Sequence, residues 1–425
     1  MSFEIRHPGR QLVFASLFLS ATAVYLVLVS AQFVAAQFAG TLRPRALHWA
    51  IGLDPGNAEY RDELAQFELR ARETPGAALR WSQSAIALDP NNNRYWLHQA
   101  MAQEGLGDFS AERNSLIQAS FHEPHSAGLA WDVANLLLAQ GDTQDALPEY
   151  RKVMENDSPR TLSAIEICWR IDPDADFLLQ NVLPENVDKA FLSFLISKNE
   201  PDAAAKAWSR IVELQQPVEH AFLFEYLRYL FANHQPEQAA RVWQESTNLS
   251  DLAAYQPSEE NLIVNGNFSL DILNGGFDWR YQKTPAVTLA LDPIETHAGS
   301  KSLRISFEGP GIVDAGIREI VSVEPETQYE FSAFYRAEEM DGAGGPRFAI
   351  QDLYSEETFF MSDDLRNAEF WTPVNSTFTT GPDTHLIVLR IARVPGASPI
   401  RGELWIDDLK LVTADHEASL KKEQP

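Results

Sequence analysis

The sequence has a single cysteine, Cys168, so no disulfide can form within one chain. It also has no cluster of Cys and His with the spacing of a zinc site. Because Cys168 lies in the apolar run 164-AIEICW-169, we expect its thiol to be in a hydrophobic core.

Positive charge is scarce as well. Lys and Arg total 34 against 60 Asp and Glu, which gives a formal net charge of −26. Such a surface repels phosphate backbones, so we expect no nucleic-acid partner. It also repels anionic lipid, so any attachment to a membrane must be hydrophobic. With 45% hydrophobic residues, the 425-residue chain can bury the cores of two or three domains.

The short motifs of common enzymes are absent from the sequence. It contains no Gly-x-Ser-x-Gly, no His-Glu-x-x-His, no phosphate loop and no dinucleotide fingerprint. Neighbouring acidic residues such as Glu338 and Glu339 point to opposite faces of a strand, whereas a glycosidase needs two carboxyls facing one bond. We therefore expect a binding protein that requires no cofactor, with an unrecognised glycan hydrolase as the third interpretation.

The N-terminal region carries the one long apolar run. No charged side chain lies between Arg10 and Arg43, and residues 12–31 are about the 20 apolar residues that span a bilayer as a helix. Residues 29-VSA-31 also fit the cleavage site of a signal peptide, although the run is longer than the usual signal core of about 7–15 residues. We favour an uncleaved anchor over residues 1–40.

Basic residues set the expected orientation of this anchor. Arg6 and Arg10 precede the apolar run, which tends to hold the N-terminus in the cytoplasm. We therefore expect a single-pass protein of the inner or cell membrane. The bulk of the chain would then lie outside the cytoplasm, in the periplasm.

A period of 34 to 35 residues follows the apolar run. Gly107 and Gly141 lie 34 residues apart, and the segments 201-PDAAAKAW-208 and 236-PEQAARVW-243 repeat after 35. The prolines of four turn-like segments share the period, with spacings of 35, 34 and 35: Pro55, Pro90, Pro124 and Pro159. We expect these prolines at the first position of helices, where no backbone hydrogen bond is lost. The period predicts stacked helix pairs, which bury a core only as an array.

This pattern resembles the tetratricopeptide repeat (TPR) family over residues 45–250, with a degenerate unit between 158 and 186. The resemblance implies an α-α superhelical solenoid, here residues 41–250, whose concave groove binds protein partners. Residues expected in the groove are Tyr60, Tyr95, His98 and Asn135. The alternative is that the aromatic residues only pack between helices. We expect His98 and His125 to be solvated, because no carboxylate or cysteine stands at ligand spacing from either.

The pattern changes to β-structure after a linker at 251–260. Short runs with alternating apolar residues follow, as in 303-LRISF-307, 329-YEFSA-333 and 387-IVLRI-391. About eight such strands without a helical stretch predict an antiparallel sandwich over 261–413. The tail at 414–425 is expected to be disordered. The predicted fold class is therefore multidomain α plus β: a transmembrane helix, a TPR-type solenoid and a β-sandwich.

The last predicted strand changes its side-chain phase. Leu404 and Ile406 have one parity, while Leu409 and Leu411 have the other. A β-bulge at Asp407-Asp408 would let both pairs face the core. The two carboxylates there either accept local hydrogen bonds or hold a cation such as Ca²⁺.

Five segments occur in the order typical of galactose-binding-like jelly rolls: NLIVNGNF, 297-HAGSKSLRIS-306, 330-EFSAFYRA-337, 370-FWTPVNSTFT-379 and LWIDDLKL. The chain thus resembles carbohydrate-binding modules over 261–413. The resemblance implies polysaccharide binding and a possible structural calcium at Asp407 with main-chain oxygens near Ser300 and Lys301. The opening strand has Asn267 and Ser269 where an acidic residue is usual, which would weaken calcium binding.

Glycan binding needs exposed aromatic faces next to groups that form hydrogen bonds with hydroxyls. Trp279 and Trp371 match core positions of the resembled fold. The expected glycan-binding residues are therefore Tyr281, Arg347, Gln351, Asp352, Tyr354 and Phe360. A solenoid joined to such a module suggests a scaffold for export or assembly of envelope polysaccharide. The alternative is a pure protein–protein scaffold whose jelly roll binds no sugar.

Overall fold

The computed structural model describes residues 8–41, 43–156, 159–309 and 311–414. The cytoplasmic stub expected at residues 1–7 and the tail expected at 415–425 lie outside the described residues. The chain forms two compact units, divided between Phe194 and Leu195. The domain limits given by the sequence stay predictions.

The first unit consists of helices. Helix α1 is Pro8–Ala39, and the pairs that follow begin with α2 at Pro44–Leu53. The remaining helices are α3 Glu59–Arg70, α4 Pro75–Leu88, α5 Asn93–Glu104, α6 Phe109–His122, α7 Ala127–Ala139, α8 Thr143–Glu155, α9 Thr161–Ile171, α10 Ala175–Asn181 and α11 Asp188–Lys198, the last of which crosses the division. Helices α3 with α4, α5 with α6 and α7 with α8 form the packed helical hairpins expected of a TPR-type solenoid.

Small residues let these helices approach closely. Ala85, Ala119 and Ala146 are fully buried. Cys168 is also fully buried, and burial raises the pKa of its thiol to about 12. The cysteine is therefore a core residue that stays protonated at neutral pH.

The periodic prolines of the turn segments were expected at the first position of helices, and this expectation is wrong. Pro55, Pro90 and Pro124 lie in turns ahead of α3, α5 and α7 rather than at the first helical position. The physical reason is that Asp54 and Asp89 close the preceding helices as C-caps, and proline after a C-cap cannot continue a helix. Proline does stand at the start of α2, α4, α12 and α14.

Helix α1 is the one described helix that is long and apolar enough to cross a membrane. Its segment Leu12–Ala39 has a mean hydropathy of 2.4, a property shared by membrane anchors and signal sequences. Most of its large side chains are exposed, but Ala35 and Ala39 are buried with Leu47 of α2 and Leu64 of α3. The end of α1 thus joins the core of the first helix pair.

The second unit combines three helices with a β-sandwich. The helices are α12 Pro201–Glu213, α13 His220–Ala232 and α14 Pro236–Glu245. The strands are β1 Arg280–Tyr281, β2 Val287–Asp292, β3 Ser302–Gly309, β4 Asp314–Ser322, β5 Gln328–Gly342, β6 Pro346–Asp352, β7 Thr358–Met361, β8 Ala368–Thr379, β9 Leu386–Arg393 and β10 Ile400–Thr413.

The strands form two five-stranded antiparallel sheets. One has the order β1-β4-β9-β6-β7 and the other β2-β3-β10-β5-β8. Alternating apolar residues of both sheets fill one core, including Leu303, Phe331 and Leu389. The predicted bulge is confirmed: the β10–β5 register shifts between Asp407 and Lys410, and residues on both sides of it stay buried.

The loop before β1 packs on the helices of the same unit. Gly275 and Gly276 have no room for a Cβ, which would lie 2.3 Å from the ring of Phe224 and 2.1 Å from that of Trp243. The next residue, Phe277, packs edge-on against Phe231 of α13 with ring centroids 5.3 Å apart. These close contacts require glycine and fix the start of β1 against the α13–α14 hairpin.

Two fully buried carboxyl groups lie next to this loop. Asp278 accepts a hydrogen bond from the backbone N–H of Leu273 at 2.6 Å, and Glu319 accepts one from Val264 at 2.6 Å. Burial raises the pKa of Asp278 to about 7. Burial, together with the charge of Asp278, raises the pKa of Glu319 well above its usual value. Both groups thus hold protons more tightly in the folded protein than in the unfolded chain.

Candidate functional site

The outer face of the sheet β1-β4-β9-β6-β7 carries a row of arginines. Arg280, Arg318 and Arg390 lie opposite one another in register on β1, β4 and β9. Ile317 and Leu389 next to them point into the core, so Arg318 and Arg390 must point outward. We call this outer surface the arginine face.

Some arginines on the arginine face have a carboxylate partner and others do not. Arg390 forms an ion pair with Asp314 at 3.1 Å, and Arg347 pairs with Asp364 at 2.8 Å. Arg318 is exposed and makes no hydrogen bond or ion pair within the part of the chain that the structure describes. The face therefore offers a cationic group for an external ligand.

Arg280 also lacks a carboxylate partner among the described residues. Its guanidinium lies over the ring of Phe231, 5.1 Å from the ring centroid. Burial and the like charges of Arg318 and Arg228 lower its pKa to about 10. Arg280 thus remains charged at neutral pH, and the nearest charges that act on it are positive.

A cavity of about 450 Å³ opens at the β1 and β4 end of this face. Its lining is mostly polar and consists of Asn274, Arg280, Tyr281, Gln282, Thr284, Asp314, Gly316 and Arg318. Gly316 has a φ of +80°, and a Cβ there would lie 2.4 Å from the carbonyl oxygen of Gln282. Glycine is required at this position, because the loop after β1 closes directly over β4.

On the outer face of the other sheet, charged side chains around Trp405 pair with one another. Arg336 forms ion pairs with Glu295 and Glu338, and its guanidinium lies over the ring of Trp405. The indole N–H of Trp405 donates to Asp292 at 3.0 Å. Around Trp405 the charged groups of this face therefore already have partners within the protein.

The structure brings two of the expected glycan-binding residues to the arginine face and a third to the cavity at its end. Arg347 and Gln351 lie on β6 with the outward parity, and Gln351 donates a hydrogen bond to Thr358 at 2.7 Å. Tyr281 lies on the edge strand β1 opposite the inward-pointing Ile317, is 52% exposed and lines the cavity. These positions fit a ligand lying across the strands.

The other three have partners elsewhere. Asp352 is buried and accepts hydrogen bonds from the backbone N–H groups of Tyr354 and Ser355, at 2.8 and 2.6 Å. Tyr354 stacks on His234, and burial raises the pKa of its phenol to about 12. Phe360 packs against Phe331 at the core, with ring centroids 5.8 Å apart. Their assignment to a glycan site stays a prediction that this geometry does not support.

Sequence reasoning missed Arg280, Arg318 and Arg390. The alternation in 316-GIREIV-321 and 386-LIVLRIA-392 was informative, because an arginine between inward-pointing apolar residues must face outward. Their alignment depends on the pairing of β4 with β1 and β9, which are distant in sequence. No local pattern contains that pairing.

The residues expected to hold calcium near Asp407 form hydrogen bonds and an ion pair within the protein. The Asp407 carboxylate is fully buried and accepts hydrogen bonds from the backbone N–H groups of His297 at 2.7 Å, Ala298 at 2.9 Å and Asp408 at 2.7 Å. Ser300 donates its N–H to Ser269, and the Lys301 ammonium pairs with Asp271. Within the described residues, no group of three or more His, Cys, Asp and Glu could hold a metal ion. Asp407 thus uses much of its acceptor capacity within the protein, and the calcium site stays a prediction.

The expected groove residues of the solenoid are partly engaged in packing. Tyr60 and Tyr95 are buried in interhelical contacts. Asn135 donates to the carbonyl of Trp131 at 2.7 Å and accepts from the hydroxyl of Tyr150 at 3.1 Å. Their role in partner binding stays a prediction.

The expected solvation of His98 is wrong. The His98 ring is buried, and its Nδ1 lies 2.6 Å from Asp62 Oδ1. The reason is that α3 and α5 are neighbours in the stack, so residues 36 positions apart meet side by side. Cavities of about 310 and 340 Å³ flank this pair along α3, α5 and α7, lined by Tyr95 and His98 respectively. These cavities are the concave features that a partner protein could use.

No protein-family model matches this chain. No curated protein matches it either. Solved structures are similar to its two parts. The structure described as "CBM4 structure and function" is 15% identical with a TM-score of 0.28, and the match covers 36% of this chain and 99% of that one.

Two further solved structures are similar to parts of this chain. "Family 16 Carbohydrate Binding Module-2" is 20% identical with a TM-score of 0.25, and the match covers 36% of this chain and 99% of that one. A crystal structure of MamA, a TPR protein, is 16% identical with a TM-score of 0.27, covering 42% of this chain and 88% of that one. The folds of the helical part and of the β-sandwich are described from their own helices and strands.

Proposed function

We propose that this chain is a membrane-anchored scaffold whose solenoid binds a partner protein and whose sandwich binds a glycan on the arginine face. The observation that carries the glycan role is the open, polar cavity at β1 and β4, lined by Arg318 and flanked by Tyr281. On the opposite outer face, Arg336 and Asp292 already have protein partners.

The lining of the cavity suits sugar hydroxyls. Arginine and amide N–H groups donate hydrogen bonds, while Asp314 and the side-chain carbonyl of Asn274 accept them. Tyr281 adds an exposed ring on which the C–H surface of a sugar can stack. Arg347 and Gln351 on β6 extend the polar surface beyond the cavity. A glycan chain crossing the strands would contact all of these groups.

The helical part supplies the second role. Its cavities along α3, α5 and α7 give a partner segment both charged and apolar contacts, from residues such as Arg94, Leu97 and Asp132. With α1 as an anchor, the protein would hold a partner and a glycan near a membrane surface. We place it on the outer side of an inner membrane, in export or assembly of envelope polysaccharide.

The test uses the full chain in detergent, with a glycan array and polysaccharide affinity gels. We expect retention by at least one polysaccharide, and a loss of at least about tenfold in affinity for Arg318→Gln, which removes a charge-assisted donor. Arg304→Gln is the matched control, because Arg304 lies 4.0 Å from Asp292 on the opposite outer face. If no polysaccharide is retained at millimolar sensitivity, the sandwich is a protein-docking module and the glycan role is wrong.

A further inference from the structure

The arginine face concentrates positive charge on a strongly acidic protein. Among the described residues that line the cavity, Asp314 is the one acidic group, and Arg390 already pairs with it. Arg280 and Arg318 line the same cavity, and Arg228 of α13 acts electrostatically on Arg280. The chain as a whole carries −26, so this local excess of cations runs against the general charge.

The alignment of the arginines places like charges side by side. Arg280, Arg318 and Arg390 occupy one cross-strand row, with neighbouring strands roughly 5 Å apart. Like charges directly opposite one another destabilise a sheet. Helix α13 brings a fourth arginine to this end of the row instead of a carboxylate. The repulsion is relieved when an anion lies over the row.

Arg318 supplies the freely exposed hydrogen-bond donors of the row. The Nε–H groups of Arg280 and Arg390 are buried and have no partner within the described residues, as is also true of Arg304 and Arg336 on the opposite outer face, and Arg280 donates another N–H to the carbonyl of Gly276 at 2.5 Å. Arg318 is exposed, without a protein partner among those residues. Guanidinium groups recognise planar anions such as carboxylates through paired hydrogen bonds, which neutral hydroxyls match less strongly.

We infer that the arginine face selects an acidic glycan, one whose sugar units carry carboxylate or sulfate groups. The inference rests on the proposed glycan-binding function and specifies its ligand class. An acidic sugar seated in the cavity would place its anion between Arg280 and Arg318. A neutral glycan would leave Arg280 and Arg318 without an opposite charge.

The experiment compares glycans that differ only in charge. Full-length protein in detergent is titrated with polygalacturonate and with its fully methyl-esterified form, which has the same backbone without the carboxylates. Dextran sulfate and dextran form a second pair, so that carboxylate and sulfate recognition can be told apart. We expect at least one acidic polymer to bind about tenfold or more tightly than its neutral counterpart. Added salt should weaken that binding.

Variants locate the selectivity. Arg318→Gln should remove most of the preference for the acidic polymer, while Arg318→Lys, which keeps the charge without the planar fork, should retain part of it. Arg304→Gln on the opposite face should leave the preference unchanged. Because Arg318 is exposed, none of these results depends on a loss of folding.

The outcomes separate this inference from the proposed function. Equal binding of acidic and neutral forms, still weakened by Arg318→Gln, would overturn the acidic preference and leave glycan binding standing. Acidic preference unaffected by Arg318→Gln would also overturn the inference, because the anion would then be recognised elsewhere. If neither polymer pair nor any neutral polysaccharide binds, both the glycan role and its specificity are wrong.

Discussion

The imidazole of His234 stacks on the ring of Tyr354, with ring centroids 4.1 Å apart and planes inclined by 24°. His234 follows α13, and Tyr354 follows β6, so the stack fastens the α13–α14 hairpin to the end of a sheet. The ring of Tyr354 is therefore already covered on one side. This separates it from Tyr281, which is 52% exposed beside the cavity.

Tyr354→Ala and Tyr281→Ala should consequently differ in effect. Tyr354→Ala should lower the free energy of unfolding by about 1–3 kcal/mol, through lost aromatic packing, and leave glycan affinity nearly unchanged. Tyr281→Ala should leave the free energy of unfolding nearly unchanged and lower the affinity for the glycan. Urea unfolding followed by tryptophan fluorescence measures the first effect, and affinity gels measure the second. If Tyr354→Ala folds but binds glycan more weakly, Tyr354 contributes to the glycan-binding site.

The buried Asp278 predicts a pH-dependent difference between the wild type and Asp278→Asn. Burial raises its pKa from the ordinary 3.8 to about 7, so between these values the folded state holds a proton that the unfolded chain has released. The wild type should therefore lose stability as pH rises through this window, by up to about 1.4 kcal/mol per pH unit. Asn mimics the protonated form and should lack the part of this loss that Asp278 causes.

The check is the free energy of unfolding of both proteins from about pH 4 to pH 8. The advantage of Asp278→Asn over the wild type should be smallest near pH 4, grow up to about pH 7 and then level off. Asp271→Asn, at an exposed carboxyl, is the control substitution. A difference that is constant with pH would mean that Asp278 ionises normally in the folded protein.

Asp407 predicts an outcome for metal removal. Because its carboxylate accepts three backbone N–H groups, Asp407→Ala leaves buried donors unpaired and should cost about 2–4 kcal/mol. Asp408→Asn, at a half-exposed residue with a φ of +53° that asparagine tolerates, should cost far less. Chelator should leave the unfolding temperature unchanged. If calcium raises that temperature in the wild type and not in Asp407→Ala, the residue is a ligand after all.

The buried contact between Asp62 and His98 should stabilise the solenoid. Removing either partner leaves the other buried without its hydrogen bond, at a cost of about 3 kcal/mol. A double-mutant cycle with Asp62→Leu and His98→Leu should give a coupling energy of about 1–3 kcal/mol. His125→Leu is the control, because that histidine is exposed. Strict additivity of the two substitutions would show that the contact contributes nothing.

The sequence predicted the features that depend on local periodicity. The repeat of 34 to 35 residues gave the helix pairs, and alternation gave the buried faces of β3, β5 and β9. The phase change at Asp407-Asp408 located the bulge. Each of these features follows from the residue pattern of a single helix or strand, where the period determines which side chains point inward.

The features that sequence reasoning missed depend on distant pairing. The row of Arg280, Arg318 and Arg390 exists because β1 and β9 flank β4. The contact of His98 with Asp62 needs the stacking of two repeats. The packing of Gly276 on Trp243 places the end of the helical repeats and the sandwich in one compact unit, although a linker pattern separates them in sequence.

The most direct test of the account is the affinity of the full chain and of Arg318→Gln and Arg304→Gln for one acidic polysaccharide under the same low-salt conditions. We predict that the wild type and Arg304→Gln bind alike and that Arg318→Gln binds at least about tenfold more weakly. Equal affinity of all three proteins, or weaker binding by Arg304→Gln alone, would contradict the assignment of the arginine face as the glycan-binding surface.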